Sequence, residues 1–389
     1  MNITAWHIRS VMMLGLLGVG ILSAAALAAQ PATLAIGAAA PELSLPGVDD
    51  KTYTLADFDD ADLLVIIFTC NHCPTAQAYE ERIKQLAADY KDRGVAVVAV
   101  SPNDAAAVRL DELGYSDLGD TLDDMKIRAR DHDFNFPYLY DGQTQAMSQA
   151  YGPVATPHVF IFDQGRKLRI AGRIDDHENP AKTKTHDTRD ALDAMLAGRP
   201  VPAETTRTFG CSIKWADKAA SAAQALDQWN QEPAELHTID AAGLRELVEN
   251  KTDKLRVINV WATWCGPCVT ELPELVTMHR MYRNRDFELV TITADAPDSR
   301  DAALKVLNRV HASTTNYIFD QDDKYALADA LGVDDWQGAL PFTLVVKPGG
   351  EIVYQSMGPI DPLALRREIV DQLSRYYFRM EQEKPAKAH

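Results

Sequence analysis

The sequence predicts an α/β protein in which two units of the same kind follow one another, and three observations carry that expectation. The chain has 389 residues, enough for two domains and a linker. Four of its five cysteines form two Cys-X-X-Cys pairs, Cys70/Cys73 and Cys265/Cys268. Each pair follows an apolar run, continuous over 63–68 and broken by Asn259 in Val257-Ile258-Asn259-Val260-Trp261, and precedes a segment whose apolar residues have helical spacing. The first pattern is that of a strand buried on both faces, the second that of an amphipathic helix.

Taken in order, the chain opens on a leader, residues 1–28. Arg9 supplies positive charge, residues 11–22 an apolar core too short for a membrane span, and Ala26-Leu27-Ala28 a small-residue cleavage site. The expectation is an exported, periplasmic-type protein with its mature start at Ala29, an uncleaved anchor being the alternative. A formal charge of −17 disfavours nucleic acid and anionic lipid as partners. In an oxidising compartment cysteines ordinarily close structural disulfides, but tight pairs read as redox-active dithiols, and Cys211 is left over. A zinc half-site at Cys265/Cys268 would need a second Cys/His pair at suitable spacing, and none is nearby. Neither a cofactor nor a resident metal is expected.

In the first unit the strand over 63–68 leads through Cys70-Asn71-His72-Cys73 into a helix over 75–93. Ala76, Tyr79, Ile83, Leu86, Ala87 and Tyr90 share one face of it, and Gly94 ends it. A strand over 95–100 then makes a parallel pair with a right-handed crossover. Residues 103–130 read as acidic and irregular apart from a helix over 122–130. A strand over 158–162, a turn, a return strand over 167–171 and a helix over 187–196 close the unit. Residues 216–229 form a short helix between the units. The second unit reads as an entry strand over 236–239, a helix over 241–250 capped by Asp240, and the strand over 255–261. Next come a helix over 267–283 containing Pro273, a strand over 287–293, a helix over 298–310, a strand over 317–320 and a helix over 324–331. Strands over 342–346 and 351–355 and a final helix over 362–377 complete it.

A dithiol at a strand's end and a helix's start has a mechanical reason. Unpaired N–H groups and the partial positive charge of the helix N-terminus favour a thiolate, bringing a cysteine from about 8.5 to near or below ~7. Trp264-Cys265-Gly266-Pro267-Cys268 resembles the active site of the thioredoxin superfamily. The resemblance implies two thioredoxin-like three-layer α/β/α domains in tandem, over 37–215 and 236–380 with a linker over 216–235. It also implies a cis-proline beside each dithiol, at Thr156-Pro157 and Leu340-Pro341, where backbone polar groups meet a substrate chain. In the second domain Cys265 would attack a disulfide and Cys268 release it, with Trp264, Leu340 and Pro341 at the docking surface. Asn259 and Glu271 are similar to positions of TlpA-like periplasmic reductases, in which the glutamate would take the proton of Cys268.

The stretch from Gly37 to Gly47 (GAAAPELSLPG), with Thr54-Leu55-Ala56-Asp57-Phe58, resembles the opening of redoxin domains, which are peroxiredoxin-like and of the AhpC/TSA type. Three chemistries stay open there. In dithiol exchange Cys70 is the nucleophile, Cys73 resolves, and His72 stabilises the thiolate. Alternatively, Cys73-Pro74-Thr75 resembles a peroxidatic site with Cys73 attacking, although Cys70 and Ile66 replace that family's threonine and proline. Thirdly, two cysteines and a histidine suit copper or a haem-maturation role. Phe209-Gly210-Cys211-Ser212-Ile213-Lys214-Trp215 resembles the closing signature of a redoxin family, so Cys211 is either a third, resolving redox cysteine or a buried inert thiol. The implied partners are protein disulfides or dithiols and a membrane electron donor. Electrons would pass from Cys265/Cys268 to Cys70/Cys73.

Overall fold

A computed structural model describes residues 30–333 and 336–378; the leader and its cleavage site lie outside the described residues. A hairpin of β1 (Ser44–Pro46) and β2 (Thr52–Thr54) precedes the first main sheet. That unit continues with β3 (Leu63–Phe68), α1 (Pro74–Lys91), β4 (Val95–Ser101), α2 (Leu122–Asp131), β5 (Tyr138–Tyr140) and α3 (Ala146–Tyr151). It ends with β6 (His158–Phe162), β7 (Leu168–Gly172) and α4 (Asp187–Leu196). The strand order is β5-β4-β3-β6-β7, parallel among β3, β4 and β5 and antiparallel at β6 and β7. Along β3, Leu63, Val65 and Ile67 pack with Tyr79, Ile83 and Leu86 of α1 and Leu192 of α4. Leu64, Ile66 and Phe68 pack on the other face with Leu45, Phe58, Met147 and Tyr151. Both faces are covered, which is why the run is apolar without alternation.

After α5 (Ala219–Asn230), the second unit runs β8 (His237–Ile239), α6 (Ala241–Glu249), β9 (Leu255–Trp261), α7 (Gly266–Tyr282), β10 (Phe287–Thr293) and α8 (Arg300–Arg309). It continues with β11 (Thr315–Phe319), α9 (Lys324–Leu331), β12 (Phe342–Val346), β13 (Ile352–Met357) and α10 (Pro362–Leu373). Its order, β13-β12-β9-β10-β11-β8, repeats that of the first sheet with β8 added in parallel at one edge. Val257 and Trp261 face one apolar cluster with α7, α8 and α10, while Ile258 and Val260 face another with α6 and α9. The protein is thus two thioredoxin-like three-layer α/β/α domains in tandem. Among the described residues, no helix is long and apolar enough to cross a membrane.

Three features depart from the sequence reading. The strand β5 and helix α3 are too short, at three and six residues, to produce a periodic signal. Residues 103–121, read as irregular, contain two 3-10 turns, Ala105–Ala107 and Leu110–Leu113. The last helix stops at Leu373, because Ser374 takes φ 76° and the chain turns back toward the first domain.

The two domains meet at the C-terminal end of α7. Leu110 and Leu113 of the second 3-10 turn pack on the core of the second domain. The Tyr282 hydroxyl donates to the Ser116 carbonyl at 3.2 Å, and the Arg285 guanidinium lies 3.8 Å over the Tyr115 ring. Buried Asp117 faces Arg128 of its own domain (3.7 Å) and both Arg367 (3.3 Å) and Arg375 of the other. The linker helix α5 is part of this seam: its Trp229 ring faces both Arg109 and Arg283.

Candidate dithiol centres

In the second domain, strand pairing dictates the site. Because β12 is antiparallel to β9 and Phe342 pairs with Val260, Leu340 and Pro341 fall beside the turn that leads from β9 into α7. Their peptide bond is cis. Thr263 anchors the turn, its N–H and hydroxyl donating to Asp295 at 2.9 and 2.7 Å. Cys265 is the N-cap of α7, accepts the Cys268 N–H at 3.3 Å and is joined to Cys268 in a disulfide. Cys268 is fully buried, whereas Trp264 beside it is 68% exposed, an aromatic face held in solvent next to the sulfurs. One turn beyond Cys268, the buried Glu271 accepts from Asn259 Nδ2 (2.9 Å) and the Ile360 N–H (3.0 Å). Asn259 also donates to Thr343 Oγ1 at 3.0 Å. Burial raises the pKa of Glu271 despite these two donors, which suits a carboxyl that takes up and gives back a proton.

The first domain repeats the plan with one change. Phe68 of β3 pairs with His158 of β6, so Thr156 and Pro157, again joined by a cis bond, fall beside Cys70. Cys70 Sγ lies 3.3 Å from Thr156 Oγ1, and Cys73 Sγ 3.4 Å from the Thr156 carbonyl. Here, however, the helix begins at Pro74, so the N-cap is Cys73, which accepts the Ala76 N–H at 3.4 Å. The reason is Asp120. Its Oδ1 accepts the N–H groups of Asn71 (3.0 Å) and His72 (3.1 Å), holding these residues as a loop outside the helix. Its Oδ2 accepts from His72 Nδ1 (2.5 Å) and Asn103 Nδ2 (2.7 Å).

The helix-end environment anticipated for Cys70 therefore belongs to Cys73. Burial raises the Cys73 pKa, but the neighbouring thiols of Cys211 and Cys70, the charge of His72 and the Ala76 N–H outweigh it, and the thiol lies well below its ordinary range. Cys70 is pushed well above it by burial, by Cys73 and by the Asp120 carboxylate. His72 is buried, and although burial lowers its pKa, Asp120 more than compensates and holds it above the ordinary imidazole value. Cys70, His72 and Asp120 offer ligand atoms within 4.8 Å of one another. Both Asp120 oxygens already accept hydrogen bonds, with His72 Nδ1 among their donors.

Two groups had no sequence signal. Asp120 reaches His72, and Asn103 reaches Asp120, only through the fold, from a stretch that reads as irregular. His158 looks like any strand residue, yet it is buried beside Pro157, accepts the Val154 N–H at 3.2 Å and is held neutral by burial, with its pKa lowered to about 4. The third cysteine does join the first centre. The Cys211 carbonyl accepts the Thr156 N–H at 3.0 Å, and its side chain packs against Cys70 and Cys73 while staying partly exposed. The two centres themselves do not face one another. Cys265 stands at the N-terminus of α7 and the seam at its other end, about 25 Å away for a helix of this length.

Comparison with known proteins places these motifs. The AhpC/TSA family model matches residues 36–171 and 234–355, one segment around each dithiol. The chain belongs to the AhpC/TSA family. Among curated proteins, it is 31% identical over 123 residues to the thiol:disulfide interchange protein DsbE of Allochromatium vinosum, covering 32% of this chain and 62% of that protein. It is 27% identical over 96 residues to the thiol-disulfide oxidoreductase ResA of Oceanobacillus iheyensis, covering 25% of this chain and 45% of that protein. The match thus spans less than two thirds of either relative. Among solved structures, a hypothetical protein of Sinorhizobium meliloti 1021 is 34% identical, covering 48% of this chain and 98% of that one, with a TM-score of 0.42. An uncharacterized conserved protein of Geobacillus kaustophilus is 36% identical, covering 48% and 95%, with a TM-score of 0.43.

Proposed function

We propose that this AhpC/TSA-family chain is an exported thiol–disulfide oxidoreductase with two dithiol centres that exchange disulfides with protein partners. The observation that carries this reading is the Cys265–Cys268 disulfide capping α7, with the cis Leu340–Pro341 bond and exposed Trp264 around it. A partner thiolate attacks Cys265, or, in the reduced state, Cys265 attacks a partner disulfide; Cys268 then displaces the partner, its proton passing to Glu271. The names of the relatives support the same chemistry. The domains would run over 37–215 and 236–380, the leader would direct export, and a membrane electron donor would recharge the dithiols. Since α7 separates the centres, electrons passing from Cys265/Cys268 to Cys70/Cys73 would travel between copies or after the seam opens. Insulin-disulfide reduction with each pair replaced in turn is the test. Activity retained in Cys265→Ser/Cys268→Ser and lost only on replacing Cys70 and Cys73 would refute the leading role of the second centre.

One observation favours a second reading for the first domain. Cys73 is fully buried yet favours the thiolate, so a hydroperoxide could reach a sulfur that a protein cannot. Peroxide consumption lost in Cys73→Ser and kept in Cys70→Ser would establish thiol peroxidase activity.

A further inference from the structure

The first centre holds three thiols rather than two, and they are not equivalent. Cys73 is buried, caps α1 and favours the thiolate; Cys70 is buried with it; Cys211 packs against the two and, of the three, is the one partly exposed. The fold goes out of its way to bring Cys211 there. Gly210 takes φ 135°, and a Cβ on it would fall 2.0 Å from the Thr156 carbonyl oxygen, so only glycine permits the approach. The segment is then pinned to the site by the Thr156–Cys211 bridge, by Lys214 N–H on Asn103 Oδ1 (2.9 Å) and by Gln145 Nε2 on the Lys214 carbonyl (2.9 Å). Asn103 is also the residue that orients Asp120.

We propose that Cys73 is the shared sulfur of two alternative disulfides, Cys70–Cys73 and Cys73–Cys211, and that the second is the one a protein partner meets. This rests on the reading of the first centre as a disulfide-exchange site. In the interchange, the Cys211 thiol loses its proton and attacks Cys73. The Cys70–Cys73 bond breaks, and Cys70 leaves and takes up a proton, with Thr156 Oγ1 3.3 Å from its sulfur; no net oxidation occurs. A partner dithiol then attacks the exposed side of Cys211. Cys73 departs as the thiolate that α1 and His72 stabilise, and a leaving thiol of low pKa leaves fast. The second partner thiol displaces Cys211, which is protonated. The partner is oxidised by two electrons and the centre reduced by two.

The test uses the full chain, oxidised, acid-quenched, alkylated and peptide-mapped, with thioredoxin and dithiothreitol as the two reductants. Cys70–Cys73 and Cys73–Cys211 linkages are expected in the unmodified chain, and Cys73–Cys211 alone in Cys70→Ser. In Cys211→Ser the Cys70–Cys73 bond should still form, but its reduction by thioredoxin should slow roughly ten-fold while dithiothreitol, small enough to enter, is affected far less. Cys211 always alkylated, with Cys211→Ser reduced by thioredoxin at the unmodified rate, would overturn the relay and leave a two-cysteine centre. Absence of every linkage among the three cysteines would overturn the relay together with the exchange reading beneath it.

Discussion

His72 Nδ1 donates to Asp120 Oδ2 at 2.5 Å in a site where both side chains are buried. The pair sets the charge felt by Cys73, and its two members titrate in opposite senses. The Asp120 pKa is depressed, its burial outweighed by the charge and hydrogen bond of His72, so its contribution to stability is present above about 3.9 and lost as pH falls. The His72 pKa is raised, so its contribution is complete below about 6.5 and lost as pH rises through the folded value. The pair is therefore expected to stabilise most between about pH 4 and 6.5. Asp120→Asn should cost about 3–5 kcal/mol there, since it strands a buried cation. Urea unfolding of both proteins at pH 5.5 and 9 checks this; a difference in stability independent of pH would refute the linkage.

The asymmetry between Cys70 and Cys73 has a direct optical readout. In a reduced chain whose second pair is replaced (Cys265→Ser/Cys268→Ser), the thiolate absorbance near neutral pH should persist in Cys70→Ser and vanish in Cys73→Ser. The reverse result would return the nucleophile's role to Cys70.

How much of this was legible from the residues differs between the two centres. At Cys265 the helix starts inside the Cys-X-X-Cys motif, so local sequence alone states the geometry. At Cys70 the same spacing hides a shift of the N-cap from the first cysteine to the second, imposed by Asp120, which lies 49 positions beyond Asn71. Long apolar runs such as 63–68 specified central strands because burial on both faces leaves a strong signal. The turn Leu110–Leu113 and the end of α10 are set by contacts between domains, which no local pattern encodes.

Glu271 makes a prediction of the opposite sign to Asp120. Its folded pKa is raised by burial, so the fold prefers the protonated carboxyl, and stability falls as pH rises from the unfolded value of about 4.3 through the folded one. Glu271→Gln should thus be neutral or stabilising at pH 8 while slowing release of a mixed disulfide on Cys265 by about 10²-fold or more. Stopped-flow exchange with a fluorescent disulfide substrate measures the second effect, and an unchanged rate would remove Glu271 from proton transfer.

The seam yields the last expectation. Arg375 lies beyond the end of α10, pairs with buried Asp117, and fixes the strand of chain that carries Tyr377 two residues on. The Tyr377 ring stacks edge-on to Tyr115 at 5.0 Å and its hydroxyl lies beside Cys211. The burial of Asp117 would raise its pKa, but Arg375 above all holds it down, so the ion pair stabilises above about pH 3.9 and is lost on acidification. Arg375→Ala leaves Asp117 with Arg128 and the more exposed Arg367, at a cost of about 1–3 kcal/mol. Two consequences should appear together: a lower melting temperature in calorimetry, and faster alkylation of Cys211 once Tyr377 is released. Tyr282→Phe, which removes a seam hydrogen bond at α7 without touching the tail, should lower the melting temperature and leave Cys211 as slow as before. Equal acceleration in both variants would mean that Cys211 is uncovered by loosening of the seam at large rather than by the tail that Arg375 holds.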